Sequence, residues 1–345
     1  MQTIVYYTTG LLVLSVFVFI WFERKFPYKP GMPVFREGFW VDLVWYTFIQ
    51  SYFLKIFIFD YIITPLDHVW HLSPRHLVGS WPLVLQVLFF LVIHDFYIYW
   101  FHRAQHHSKW LWRTHEAHHS NREVDWLAGT RSHSLEILIN QTVEFAPIVL
   151  LGASPVVVPV KALIDAVWGM YIHSNIDVRS GRLQYIINGP EMHQWHHSDD
   201  RAVFYSNYST KFALWDWIFG TAYLPGRKKP TRYGLPYDYP RDYFLQHWFA
   251  FRRVDEKRMV RRWSLFRRYY YSRPRVVRWL LDIVRPERQR VARVGERSAG
   301  GGSGIGQASA AVGGQDSASV CRPESAVLRD DESAAVRGQD SAIQH

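Results

Sequence analysis

The stretch HDFYIYWFHRAQHHSKWLWRTHEAHH, residues 94–119, joins the end of an apolar segment to two histidine clusters. The first cluster is His102-x-x-x-His106, and the second is His115-x-x-His118-His119. Side chains three and four residues apart share one face of a helix, and two imidazoles at such offsets can bind one metal ion. The stretch therefore predicts a helical metal site at the end of an apolar helix.

A third cluster, His193-x-x-His196-His197, repeats the second one further along the chain. The three clusters supply enough positioned imidazoles for two metal ions. Cys321 is the single cysteine, which argues against a disulfide framework or a thiolate site. Imidazole suits zinc, iron, copper and nickel, but a structural zinc site usually recruits cysteine. A dinuclear redox site is the simplest interpretation, with iron the most common metal for oxygen chemistry.

One stripe of the helix before the first cluster combines polar side chains with candidate ligands: Asp95, Tyr99, His102 and His106. At about 100° per residue these four positions lie close together around the helix axis. His94 and His107 project away from the stripe, so we interpret them as a packed helix residue and an exposed neighbour. Asp95 is expected to hydrogen-bond a ligand imidazole or to form a salt bridge with Arg103 or another basic group.

Four apolar stretches predict a multi-pass membrane protein: roughly 4–22, 40–63, 81–101 and 137–160. About twenty apolar residues cross the hydrocarbon core of a bilayer. The first stretch lacks the basic start and the cleavage site of a signal peptide, so we expect it to be retained. The last one continues to residue 172 and is broken by Gly152 and prolines, which predicts a hairpin.

Polar residues within the second stretch are expected at the bundle interior or the interface: Asp42, Gln50, Lys55 and Asp60. Basic residues follow the first stretch and none precedes it. Lysine and arginine accumulate on the cytoplasmic side of membranes. The N-terminus is therefore predicted to lie outside, and everything after Phe101, including the histidine clusters, on the cytoplasmic side.

The net charge of +10 is concentrated in residues 227–293, where 20 basic and 6 acidic residues give a local charge of +14. Tryptophan, phenylalanine and tyrosine are interleaved with these basic residues. After a membrane domain, such a segment is typical of contact with anionic lipid or an acidic electron carrier. Nucleic-acid binding is the weaker alternative. From residue 294 the chain is rich in Gly, Ala, Ser and Gln, and we predict a disordered tail.

Four motifs, HDFYIYWFHRAQH, WRTHEAHHS, NGPEMHQWHHS and LWDWIFGT, resemble the fatty acid hydroxylase/sterol desaturase superfamily of integral-membrane non-haem di-iron enzymes. The resemblance covers roughly residues 81–225. It implies an all-α membrane bundle of about four spans, with a cytoplasmic helical cap that holds a dinuclear metal site. The ligands implied by position are His102, His106, His115, His118, His119, His193, His196 and His197.

The same resemblance implies one further ligand, His173 in YIHSN, whereas Gly169 stands where some relatives carry another histidine. His133 in RSHSLE is expected beside the ligands or facing the substrate. Acidic residues that could orient the ligand rings, or lie solvated in loops, are Asp177, Glu191, Asp199 and Asp200.

These observations predict a membrane-bound enzyme that uses two iron ions, dioxygen and external electrons to hydroxylate or desaturate a C–H bond of a lipid. The sequence contains no haem-attachment, iron–sulfur or dinucleotide-binding motif, so a separate electron-donor protein is expected. The alternatives are an ether-lipid monooxygenase on the same metal set and a non-enzymatic metal-binding scaffold. The predicted divisions are 1–80 (membrane helices and outer loop), 81–225 (catalytic domain), 226–293 (membrane-surface segment) and 294–345 (tail).

Overall fold

The computed structural model describes residues 1–252 apart from Arg201 and Arg227. These residues form helices joined by loops, and the described part of the chain contains no β-strand, which confirms the predicted all-α class. The predicted tail at 294–345 and most of the predicted surface segment at 226–293 lie outside the described residues.

The first half of the chain contains three helices that are long and apolar enough to cross a membrane: α1 (Gln2–Lys25), α2 (Val41–Trp70) and α3 (Leu83–His107). Helix α2 includes π-helical turns at Val41–Gln50 and Phe57–Ile63. The apolar window of α1 is 0% buried, whereas 39% of that of α3 is buried. Helix α1 therefore presents its apolar surface outward, while α3 lies deeper in the bundle.

Helix α4 (Lys109–His119) follows α3 directly, and the predicted hairpin is present as α5 (Ser134–Leu150) and α6 (Val157–His173). At its turn Gly152 has φ +65°, and a Cβ there would lie 2.3 Å from the carbonyl oxygen of Ser73. Each arm has 17 residues, fewer than the roughly 20 that a span requires. The expected total of about four spans therefore stays a prediction.

Three short helices complete the described chain: α7 (Pro190–His196), α8 (Leu214–Phe219) and α9 (Tyr243–Phe249). The largest apolar core lies away from the histidines, where α2, α3, α5 and α6 meet around Ile58, Phe90, Phe145 and Val157. This core joins α2 and α3 to the hairpin, whereas α1 packs in a separate apolar cluster with Leu127 and Met170.

Buried charged side chains attach the N-terminal part of the chain to the segments that follow α4 and α6. Glu23 Oε1 accepts hydrogen bonds from the backbone N–H groups of Trp126 and Asn175, each at 2.8 Å. Arg36 lies between Asp42, at 2.7 Å, and Asp125, at 2.8 Å. Because Arg36 is paired with both Asp42 and Asp125, the burial of these three charges is tolerated.

The predicted interior positions in the second stretch divide into two kinds. Asp42 and Gln50 are buried, and the Gln50 amide donates to the carbonyl of Ser132 at 3.0 Å. Lys55 and Asp60 are exposed on the outer surface of α2. The two buried side chains thus connect α2 to the loop before α5.

Candidate metal centre

Nine buried histidines from four helices meet at one end of the bundle. Helix α3 contributes His102 and His106 from its last turns. The next contribution comes from α4, which carries His115, His118 and His119. The last turn of α6 contributes His173, and α7 with its C-terminal cap contributes His193, His196 and His197. The structure therefore brings together all nine residues predicted as ligands.

The nine imidazoles divide into two groups, and within each group the candidate ligand atoms lie within 4.8 Å of one another. The first group comprises His102, His106, His115, His119 and His196; the second comprises His118, His173, His193 and His197. Adjacent residues such as His118 and His119 join different groups, because successive helical side chains point about 100° apart. The groups adjoin each other, since the rings of His119 and His197 have centroids 4.7 Å apart.

Hydrogen bonds to Nδ1 orient five of the nine rings. Four rings face backbone carbonyls: His102 faces Tyr208 at 2.7 Å, His118 faces Arg131 at 3.1 Å, His173 faces Gly169 at 2.8 Å and His196 faces Ser206 at 2.8 Å. The fifth, His115, faces the carboxylate of Glu136 at 2.9 Å. A carbonyl or carboxylate can only accept, so each Nδ1 carries the proton and each Nε2 keeps its lone pair.

The arrangement of the Nε2 atoms fits a bound cation. In His118 and His173 these unprotonated atoms face each other at 3.2 Å, and the Nε2 atoms of His173 and His193 are 2.9 Å apart. Two imidazole nitrogens that bind the same ion at about 2.1 Å lie roughly 3 Å apart. The Nε2 atoms of His102 and His196 are buried without a hydrogen-bond partner among the described residues. The geometry of the histidine groups is therefore suitable for holding metal.

Burial keeps these imidazoles neutral. Desolvation lowers the pKa of His115 and of His118 to about 3, and neighbouring histidines lower both further. Desolvation is also the main reason why the pKa values of His193, His196 and His197 lie well below the usual range. Neutral imidazole is the form that binds metal, so the site is in its binding state across the physiological pH range.

Asp95 makes no hydrogen bond to a ligand ring in the described structure. The alternative expectation, a salt bridge with a basic group, is met by Lys211, whose Nζ lies 3.9 Å from Asp95 Oδ1. The Asp95 carboxylate accepts hydrogen bonds from the segment that follows the last cluster: from the Thr210 hydroxyl at 2.7 Å, the Lys211 N–H at 2.8 Å, the Phe212 N–H at 3.0 Å and the Trp215 indole at 2.9 Å. Asp95 therefore fixes this segment against α3.

A second buried carboxylate, Asp216, acts close by on the backbone that orients two ligands. It accepts hydrogen bonds from the N–H groups of Tyr208 and Ser209, both at 2.9 Å. The carbonyl of Tyr208 faces His102, and that of Ser206 faces His196. Asp216, in the motif LWDWIFGT, thus holds the backbone segment whose carbonyls face two candidate ligands. The sequence alone did not reveal this role.

His133 was expected beside the ligands or facing the substrate; its contacts in the described structure are with other residues, and a position facing the substrate stays a prediction. It caps the N-terminus of α5, where its Nδ1 accepts from the Leu135 N–H at 3.1 Å, and its ring packs on His247 with centroids 4.4 Å apart. Burial and the neighbouring His247 lower its pKa to about 4. The side chain one helical turn away, Glu136, contacts the ligand candidate His115 instead.

The remaining polar candidates pair elsewhere. Asp177 and Glu191 both pair with Arg179, Asp199 pairs with Arg232, and Asp200 accepts from the Ala202 N–H. None of these four acids therefore orients a ligand ring in the described structure.

The two histidines that flank the first cluster also lie outside both metal groups. His94 is packed and hydrogen-bonded to Lys161, as predicted. His107 is half-buried against Tyr205 and is not the exposed neighbour that was expected.

A sequence model of the fatty acid hydroxylase family matches residues 87–221. Ornithine lipid hydroxylase OlsE of Rhizobium tropici is 34% identical over 183 residues, which cover 52% of this chain and 55% of that protein. Human alkylglycerol monooxygenase is 31% identical over 41% of this chain and 31% of its own length. Rat methylsterol monooxygenase 1 is 29% identical over 60% of this chain and 70% of its own length. No solved structure matches the chain.

Proposed function

Because the chain belongs to the fatty acid hydroxylase/sterol desaturase superfamily, we propose that it uses dioxygen and external electrons to hydroxylate or desaturate a C–H bond of a membrane lipid. The chain covers 55% of the length of the ornithine lipid hydroxylase and 31% of that of human alkylglycerol monooxygenase. The activity of the whole protein is therefore our proposal. The observation that carries the proposal is the convergence of nine buried imidazoles in two adjoining groups.

We propose two iron ions as the cofactor, one held by each histidine group. When bound, the pair would activate dioxygen for attack on an unactivated C–H bond, and the external donor would supply the electrons. An all-imidazole ligand set adds no negative charge, so the loaded site stays strongly cationic.

The chain's own residues would hold the site in shape and keep water out. Hydrogen bonds at Nδ1 fix five of the nine rings before metal arrives, so these rings need little reorganisation on binding. Burial of all nine side chains excludes bulk water, which protects reactive species and strengthens electrostatic interactions. A cavity of about 270 Å³ reaches His102, His115 and His193, and it offers the substrate a path to the centre.

The substrate is proposed to be a lipid because the relatives are named for ornithine lipid, alkylglycerol and methylsterol, and because three helices can cross a membrane. An ether-lipid monooxygenase is the second candidate, favoured by the similarity to alkylglycerol monooxygenase. We further propose a separate electron-donor protein, a cytoplasmic position for the histidine end, and a catalytic domain at 81–225 between the membrane helices of 1–80 and the surface segment of 226–293.

The test is iron content and oxygen uptake of the purified chain, combined with lipid analysis of cells with and without the gene. We expect about two iron ions per chain, oxygen uptake that depends on added lipid and reductant, and loss of an oxidised lipid from the deletion strain. A product that gained one oxygen atom indicates hydroxylation, and one that lost two hydrogens indicates desaturation. Zinc in place of iron, with no oxygen uptake, would contradict the proposal and favour a metal-binding scaffold.

A further inference from the structure

The two histidine groups differ in the number of ligands that they offer. Among the residues that the structure describes, the first group contains five imidazoles and the second contains four. An ion in the second group would therefore have one protein ligand fewer than its neighbour. Metal sites that act on small molecules keep a coordination position without a protein ligand, whereas structural sites are filled by the protein. The second group is the better candidate for such a position.

The spacing of the histidines shows where the second group has one ligand fewer. Three pairs lie four residues apart, and each pair belongs to a single group: His102 with His106, His115 with His119, and His193 with His197. Offsets of four place two side chains on one helical face. His173 ends α6 without such a partner, because the residue four positions before it is Gly169. An imidazole at position 169 would therefore be directed toward the second group.

The space beside Gly169 is open and belongs to the cavity that reaches the metal centre. A Cβ at position 169 would meet nothing within 4 Å. Gly169 lines the cavity together with His118, His173 and His193, which are three of the four members of the second group. Only two of the five members of the first group line it. A small molecule in the cavity would therefore meet the second group beside Gly169.

Neither the backbone nor the packing requires glycine at this position. Gly169 lies inside α6, and its φ is not among the positive values of the described glycines. Glycine in a helix interior costs about 1 kcal/mol relative to alanine. At Gly129, by contrast, a Cβ would lie 2.6 Å from His173 Nδ1, so packing excludes a side chain there. What a large side chain at position 169 would remove is the open space in front of the second group.

We propose that the second histidine group leaves one coordination position free on its cavity side, beside Gly169, for a small ligand of the dioxygen or azide type. This proposal rests on the proposed metal centre and its oxygen chemistry, and it names the ion at which the small molecule binds. The lipid would enter through the same cavity, so the C–H bond and the small ligand would meet on one side of the centre.

Azide binding to the cobalt-loaded protein tests the proposal without turnover. Cobalt(II) is suitable because its visible absorption depends on the number and type of its ligands. The full chain, loaded with cobalt(II) in detergent, is titrated with azide. The wild type is expected to change its spectrum as azide binds, and Gly169→His is expected to lose this response because its imidazole takes the position. At a chelator concentration that removes half of the wild-type metal, Gly169→His should also retain more metal.

Two further substitutions separate the filling of space from the binding of metal. Gly169→Leu fills the same space without a donor atom, so it should weaken the azide response and retain no more metal than the wild type. Gly169→Ala adds a single carbon and should resemble the wild type in both measurements. Alanine, leucine and histidine all favour helix more than glycine does, so the variants are expected to fold, which circular dichroism checks.

Three results would overturn the proposal. The first is a cobalt-loaded wild type that shows no azide response. The second is an azide response that is unchanged in folded Gly169→His and Gly169→Leu, because azide would then bind elsewhere. The third is a Gly169→His variant that releases metal as readily as the wild type, because its imidazole would then not reach a coordination position.

The outcomes separate this proposal from the broader one. Azide binding that depends on residue 169, in a protein that oxidises no lipid, would uphold the open position and refute the enzymatic function. Lipid oxidation by a chain whose azide binding does not depend on residue 169 would do the reverse.

Discussion

Glu136 provides a sharp test of the metal centre, because its carboxylate contacts a single ligand candidate. It accepts a hydrogen bond from His115 Nδ1 at 2.9 Å, and His115 belongs to the first histidine group alone. Burial raises the pKa of Glu136 to about 7, so the test is run above pH 7, where the side chain is a carboxylate. Replacing it by glutamine keeps the shape and one acceptor oxygen but removes that charge. The variant should therefore weaken one metal position and spare the other.

The size of the effect follows from the change in that hydrogen bond. A hydrogen bond to a charged group is worth about 1.5–3 kcal/mol, against roughly 0.5–1.5 kcal/mol between neutral groups. The difference, about 1–1.5 kcal/mol, corresponds to roughly tenfold in metal affinity. This value lies at the lower end of the ~10–100-fold that is usual when the hydrogen-bond partner of a ligand is changed.

Competition with a chelator measures the effect directly. Glu136→Gln is expected to lose about half of its bound metal at a chelator concentration that leaves the wild type loaded, and to retain the rest. Glu37→Gln is the control, because Glu37 is exposed, pairs with Arg241 and belongs to neither histidine group. This variant should behave like the wild type. Equal loss from both positions, or full retention in folded protein, would refute the assignment of His115 to one ion only.

Three further predictions concern other parts of the site. His106→Ala should lose at least one iron and its oxygen uptake, whereas His107→Ala keeps both; the reverse result, from iron analysis and oxygen uptake, would show that the ligand assignment in α3 is wrong. Gly129→Ala should lower metal content, since its Cβ would lie 2.6 Å from His173 Nδ1; Gly169→Ala, whose Cβ meets nothing within 4 Å, is the control and should bind metal normally. Glu23→Ala should reduce the free energy of unfolding by ~2–5 kcal/mol, because two buried N–H groups lose their acceptor; thermal unfolding beside Glu37→Ala tests this, and equal midpoints would contradict it.

The helices and the clustering of the histidines were predictable from sequence because both depend on periodicity, whereas the division into two groups was not predicted. Apolar runs of sufficient length indicate membrane helices, and offsets of three and four place histidines on one helical face. His173 was predicted only from the resemblance to a family, because no other histidine lies three or four residues away from it. Its position in the second group shows why that resemblance carried information that the spacing lacked.

What the sequence concealed are contacts made between distant segments. Four of the five groups that orient candidate ligand rings are backbone carbonyls. Every residue has a backbone carbonyl, so the amino-acid sequence does not show which ones accept these hydrogen bonds. The sequence allowed Asp95 a basic partner but could not name it, because the partners of Asp95 come from the distant residues 210–215. The pairing of Lys161 with Glu144 was hidden within a hairpin that looked uniformly apolar.

The hydrogen bonds from His102 to Tyr208 and from His196 to Ser206 have a consequence for biogenesis. A ribosome that has just completed α3 and α4 has made five of the nine histidines, but the carbonyl that sets the ring of His102 is still about one hundred residues from synthesis. Membrane insertion of the early helices must therefore precede assembly of the centre, and metal can be captured in its final geometry only after the segment around residue 208 has emerged and folded back. A nascent chain stalled before that point should remain inserted yet unable to retain iron.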